Sequence, residues 1–253
     1  LPYYDSLLEK LERGDHPRRT DLLFRKCTIL FNNGNSERAD SILKQILNLA
    51  MTHQIAGAAA NAYHILTAYN AKSYSLEKAS FCGRKALHYY DQMSDTIGAR
   101  RNVLKLLSQA ELLRNRPEAS EAFLKELDTL SPAEGHSEQI SAYAERHFLL
   151  GAYGKALEVL EPVISGTGGG SENYRVGQLF LSVIAAWYAC DFSRVVSVAP
   201  RLLRGKHRHY GYRCQAIAQE AAARHLLGEP GSPANRIQQA EFESSQIRND
   251  FDR

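Results

Sequence analysis

Leu150-Gly151-Ala152-Tyr153-Gly154-Lys155-Ala156-Leu157-Glu158 decides how the rest of the sequence reads. A glycine-marked turn runs into a small residue, Ala156, and then into Val159, Leu160 and Val163 at helical steps. The arrangement returns along the chain. Gly34-Asn35-Ser36-Glu37-Arg38-Ala39 precedes Ile42, Leu43, Ile46 and Leu47; Tyr74-Ser75-Leu76-Glu77-Lys78-Ala79 precedes Cys82, Ala86 and Leu87. Arg116-Pro117-Glu118-Ala119 precedes Ala122, Phe123 and Leu127, and Cys190-Asp191-Phe192-Ser193-Arg194-Val195 precedes Val198 and Leu202. A weaker sixth copy runs from Gly228 to Ala234, before Ile237 and Ala240. The anchors Ala39, Ala79, Ala119, Ala156, Val195 and Ala234 are 40, 40, 37, 39 and 39 residues apart, a regularity that marks an internal repeat.

Each repeat reads as two amphipathic helices. The first helices are expected over Asp21 to Asn32, Ala58 to Asn70, Arg100 to Arg114, Glu138 to Leu150, Val176 to Ala189 and Arg213 to Leu227. Apolar residues recur there at three- and four-residue steps, as in Val103, Leu106, Leu107 and Ala110. The second helix follows each anchor. Ser36, Ser75 and Ser232 are candidate N-caps, and Pro233 suits a first helical position. No period-two alternation suggests a strand. A small anchor lets two antiparallel helices approach, and stacked pairs bury the faces each leaves open. The organisation expected is a single domain over residues 1–253, with a leading helix (1–16) and repeats at about 20–55, 58–95, 98–131, 137–166, 174–205 and 211–251.

This pattern resembles the tetratricopeptide repeat (TPR). Leu150 to Glu158 is the best match to the family's turn and second-helix start, Gly34 to Ala39 is the next, and Asp191-Phe192 fits the turn. The resemblance covers about Thr20 to Arg248 and implies an all-α, right-handed superhelical solenoid of about six antiparallel helix pairs. The chain departs from the family in its period of 37 to 40 residues, in its poorly kept first-helix Trp and Leu-Gly positions, and in Pro230, Gly231 and Pro233 in the sixth turn. The long period also resembles the sensor region of maltose-regulator-type bacterial signalling proteins.

In such stacks the first helices line a concave groove. Matching by turns places Phe24, Thr28, Phe31 and Asn32 inward in the first repeat. The groove residues expected beyond them are Tyr63, Thr67 and Asn70, then Arg101, Lys105 and Gln109, then Glu138, Ser141, Glu145 and Phe148, and finally Phe180, Ile184 and Trp187. Basic Arg101 and Lys105 would lie beside acidic Glu138 and Glu145, ending in aromatics around Phe180, Trp187 and Tyr188. Both signs suit a peptide or a neutral polar ligand. They suit a polyanion badly, since the glutamates would repel phosphate. The bland alternative is that these charges pair between repeats and that Trp187 is core.

Other features exclude more than they assign. The chain has 253 residues, 44% hydrophobic and 23% charged, with a net charge of +3: values of a folded globular protein, too near neutral to imply nucleic acid. No apolar run approaches the roughly 20 residues of a membrane span, and the Leu1-Pro2-Tyr3-Tyr4 start shows no secretory signal. Without an initiator Met, the chain reads as a piece of a larger protein whose flanking domains would decide its context. Cys27, Cys82, Cys190 and Cys214 are too widely spaced for a zinc or disulfide framework and read as small buried hydrophobes of a reducing cytoplasm. Arg194, Arg201, Arg204, Lys206, Arg208 and Arg213, interleaved with His207, His209, Tyr210 and Tyr212, read either as a phosphate surface or as helix C-termini. His207 and His209 have no metal-ligating neighbours in sequence. Gly166 to Ser171 lacks the lysine of a phosphate loop and reads as a connector, native or engineered.

No catalytic signature, cofactor motif or metal motif is present. The function expected is a non-catalytic, cytoplasmic module that binds a protein or peptide in its groove, within a bacterial regulatory or signalling protein. A small-ligand sensor, for example of a sugar, is the alternative. Homodimerisation through the leading helix, with its Tyr3, Tyr4, Leu7, Leu8 and Leu11, is a third expectation. The polar stretch from Ala234 to Phe251 reads as an end cap.

Overall fold

The computed structural model describes residues 2–11, 14–32, 35–130, 136–167, 172–204, 210–229, 235–236, 238–242 and 245. Among the described residues there is no strand, and twelve α-helices are followed by further helical residues at 235–236, 238–242 and 245. They are α1 (Pro2–Lys10), α2 (His16–Asn32), α3 (Ser36–Thr52), α4 (Ala56–Lys72), α5 (Leu76–Tyr90), α6 (Ile97–Leu113) and α7 (Pro117–Thr129), then α8 (His136–Leu149), α9 (Tyr153–Ser165), α10 (Glu172–Tyr188), α11 (Phe192–Leu203) and α12 (Tyr210–Leu226). The chain is an all-α solenoid of helix hairpins, divided into two compact units, 1–126 and 127–253. No helix of the described residues is long and apolar enough to cross a membrane.

The turns repeat more faithfully than the sequence. Tyr74, Asn115, Gly151, Cys190 and Gly228 all have φ between +56° and +73°. The next residue sends its N–H back five residues: Ser75 to Asn70, Arg116 to Glu111, Ala152 to His147, Asp191 to Ala186 and Glu229 to Arg224, all at 2.9–3.0 Å. Asn35 to Leu30 and Ile55 to Ala50 make the same bond. This is the Schellman closure, which satisfies carbonyls that a helix end would leave bare. The left-handed conformation costs non-glycine residues free energy. Tyr74, Asn115 and Cys190 adopt it because the flanking helices and these bonds over-determine the turn.

That register corrects one anchor. In the third pair the residue four after the turn is Ser120, not Ala119. Ser120 is fully buried and its hydroxyl lies 2.9 Å from that of Ser108, whereas Ala119 is half-buried. Serine fits there because a facing hydroxyl satisfies its own. Twelve residues before each anchor stand Cys27, Thr67, Ser108, Ala144 and Val183, all at most 3% exposed. Cys27 touches the Ala39 carbonyl at 3.6 Å. Burial, with Asp40 nearby, pushes the Cys27 thiol up to about 11, which keeps it a neutral packing group.

Capping also departs from expectation. Asn35, not Ser36, is the N-cap of α3, and Ser75 holds the N-cap position of α5 without bonding through its side chain. Asp191 does cap α11, accepting from the Arg194 N–H at 3.1 Å. Ser232, Pro233, the sixth anchor Ala234 and most of the expected C-terminal cap lie outside the described residues. Cys190 is exposed in its turn and Cys214 half-buried, so only Cys27 and Cys82 behave as core.

In unit 1 the core runs from Leu23, Leu30, Leu43 and Ile46 to Val103 and Leu107. Gly83 sits where α5 meets α6; an added Cβ would lie 2.6 Å from Leu107 Cδ2. Gly83→Ala is therefore expected to destabilise the protein by about 1–2 kcal/mol through overpacking, despite alanine's better helix propensity. Urea unfolding of the pair of proteins checks this. In unit 2 the core is built from Leu157, Val163, Leu179, Val183, Val198 and Leu202.

Candidate functional site: the first-helix faces and an aromatic row

In unit 1 the turn register gives Phe24 and Thr28 on α2 the same positions as His64 and Ala68 on α4, and as Lys105 and Gln109 on α6. The expected Tyr63 and Thr67 are displaced by one residue. Thr67 is fully buried and donates to the Tyr63 carbonyl at 2.7 Å, so it packs the hairpin and faces no ligand. Asn70 is also buried and bonds to the Leu66 carbonyl at 2.7 Å. Tyr63 is half-buried and stacks on Tyr89, centroids 5.9 Å apart; burial, then Tyr89, raises its hydroxyl above the ordinary value. Arg101, Lys105 and Gln109 are half-buried on α6.

Sequence reasoning missed a polar cluster at the His64 position. Tyr90, buried at the end of α5, donates to Asn61 at 2.9 Å and lies 3.2 Å from His64 Nδ1. Burial holds His64 below its ordinary value and pushes Tyr90 up to about 12, so both rings are neutral near pH 7. The turn register was the signal that could have found His64.

Unit 2 carries the aromatic residues. Glu138 belongs to α8, but its side chain lies outside the described residues. Ser141 is buried and accepts from the Gln178 amide at 3.0 Å, which makes it a packing group between α8 and α10. Glu145 is half-buried. Phe148, at the end of α8, touches Tyr153 (5.4 Å) and Tyr188 (5.8 Å), and Tyr153 stacks on Tyr188 at 5.3 Å. Tyr188 remains 57% exposed. This row joins the ends of α8 and α10 to the start of α9 and leaves an aromatic face in water. Tyr153 was quoted in the repeat motif for its spacing alone. Trp187 and Phe180 do less at the surface: Trp187 meets Phe192 edge-on at 5.4 Å against the core, and Phe180 is stacked beneath Tyr212 at 4.1 Å.

The basic stretch of unit 2 is largely used internally. Arg194 bonds to Glu161 at 2.7 Å, and Arg201 donates to the Val163 and Ile164 carbonyls that end α9. Arg213 donates to the Leu203 carbonyl at 2.9 Å and Arg204 to that of Pro200 at 3.3 Å. Arg201, Arg204 and Arg213 are cations at helix C-termini, where the dipole and bare carbonyls favour them. Residues 205–209, with His207 and His209, lie outside the described residues. Among the described residues no three His, Cys, Asp or Glu side chains are grouped to hold a metal.

No protein-family model matches the chain, and no curated protein matches it. Among solved structures, the crystal structure of nearly identical TPR-like repeats, assigned to a kinesin light chain of Podosopora anserina, is similar to it. The TM-score is 0.53 at 12% identity, over 75% of this chain and 96% of that one. At this identity the likeness concerns fold. The chain has a TPR-like helical-repeat fold.

Proposed function

We propose that this protein is a non-catalytic scaffold that holds a protein or peptide partner along the first helices of its repeats, with Phe148, Tyr153 and Tyr188 as the anchoring row. The observation that carries this reading is the exposure of Tyr188 while it stacks on Tyr153. Rigid aromatic side chains already held in place lose little entropy on binding and are the residue types that dominate interfaces. Within unit 2 the peptide would also meet Glu145 and Phe180, and in unit 1 Arg101, Lys105 and Gln109 on α6 form a separate candidate face. Thr67 and Ser141 drop out of the lining because they are buried.

Placement within a cytoplasmic regulatory or signalling protein belongs to the same proposal and rests on the repeat period. Self-association through α1 belongs to it as well and rests on Tyr3, Tyr4, Leu7 and Leu8 of a helix with no buried residue. The sensor alternative leans on Trp187, whose packing against Phe192 and the core favours the scaffold reading.

A displayed-peptide library selected on the full chain tests the proposal. Tyr188→Ala is expected to weaken selected peptides by about tenfold or more, with an unchanged circular dichroism spectrum. Undiminished affinity in both Tyr188→Ala and Tyr153→Ala would remove the row from the binding surface.

A further inference from the structure

At the other end of the chain, α1, α2 and α3 enclose a cleft of about 390 Å³, within the size range of small-molecule sites. Four of its nine lining residues are apolar: Leu8 from α1, Leu23 from α2, and Ile42 and Leu49 from α3. Arg19, Leu23 and Lys26 lie at four- and three-residue steps and so share one face of α2. Gln45 and Asn48 of α3 line the same cleft and are exposed. No residue of α1 is buried, so α1 walls the cleft without filling it.

The charges in the cleft are unequal. Lys26 is ion-paired with Asp5 of α1, which cancels the one carboxylate of the lining. The Arg19 guanidinium and the Gln45 and Asn48 amides make no side-chain hydrogen bond or ion pair among the described residues. A planar five-donor fork and two exposed amides thus line the same cleft as four apolar side chains, with one net positive charge among its charged groups.

We propose that this cleft binds a small organic monocarboxylate with an apolar body. Arg19 takes the carboxylate, Gln45 and Asn48 complete its hydrogen bonds, and Leu8, Leu23 and Ile42 cover the apolar part. A guanidinium matches a carboxylate in both shape and charge, and bonds of this kind are the strong ones. The single uncompensated charge fits a monoanion better than a doubly charged phosphate ester. This site is separate from the aromatic row and stands without it.

The test is an NMR titration of the full chain with sodium octanoate, octanol, sodium acetate and octyl phosphate. Octanoate is expected to give saturable shifts confined to the amides of α1, α2 and α3. Octanol lacks the charge and acetate the apolar body, so each is expected to bind at least about tenfold more weakly. Arg19→Gln, a partly exposed site that leaves the fold intact, is expected to weaken octanoate by about tenfold or more. Asp5→Asn frees the Lys26 ammonium and is expected to tighten it severalfold, a gain that a merely structural role would not produce. Shifts spread over the whole chain, no saturation, octanol equal to octanoate, or unchanged affinity in Arg19→Gln would overturn the assignment. Octyl phosphate binding more tightly than octanoate would overturn the choice of carboxylate.

Discussion

Glu111→Ala is expected to lower unfolding free energy by about 3–5 kcal/mol, as measured by urea denaturation at pH 7. Glu111 is fully buried on α6. It accepts from the Ser80 hydroxyl, from Arg114 at 3.1 Å and from Arg84 at 3.3 Å, with Arg116 at 3.9 Å. Arg84 and Arg116 are more than half exposed and would rehydrate when the carboxylate goes. Arg114 is only 17% exposed and would be left desolvated beside an unpartnered Ser80 and a new void. Glu111→Gln keeps the volume and one acceptor, so it is expected to cost less than the alanine change.

The same carboxylate sets an acid limit. Burial pushes Glu111 up, but the Ser80 hydroxyl and the Arg114 and Arg84 guanidinium groups outweigh it, leaving the carboxyl below its ordinary value of 4.5. A carboxyl depressed in the folded state contributes stability that is present above its unfolded value. That contribution is lost as pH falls through the folded value. The wild-type protein is therefore expected to lose stability below about pH 4.5, and Glu111→Gln to flatten that slope. Equal slopes in the two proteins would show that the network does not carry the acid sensitivity.

Ala156→Leu is expected to cost about 3 kcal/mol, the upper end of overpacking effects, because the anchor is fully buried and faces Ala144, which is buried as completely, in register. The repeat uses small residues here so that two backbones can approach, and a leucine would force them apart. Thermal unfolding followed by circular dichroism should show a large drop in Tm for Ala156→Leu. Ala152→Leu, at the half-buried N-cap of α9, should show a much smaller one. Comparable drops would mean that the anchor is not the closest point of the hairpin.

The fold was legible because it is local and periodic. Six apolar patterns with turn markers between them specify helix hairpins, and each expected first helix overlaps an observed one, as with Ala58 to Asn70 inside α4. The third anchor differs because alanine is not the sole residue that permits close approach. Ser120 meets the same steric need, and only the facing Ser108 reveals that its hydroxyl is satisfied. Thr67 and Ser141 were read as polar groove groups for a related reason: one sequence cannot tell a polar side chain bonded inside the hairpin from one offered to solvent.

Helix order, repeat period and the anchors Ala39, Ala79, Ala156 and Val195 were thus set by sequence alone, since they follow from hydrophobic spacing and side-chain size within about 40 residues. Tertiary structure decided the rest. It buried Glu111 among three arginines, assembled Phe148, Tyr153 and Tyr188 from three helices, and put Arg19 in a cleft with Leu8, Leu23, Ile42 and Leu49. Such groupings depend on the relative rotation of neighbouring helices, where a shift of one residue, about 100° around the axis, moves a side chain from solvent into the core.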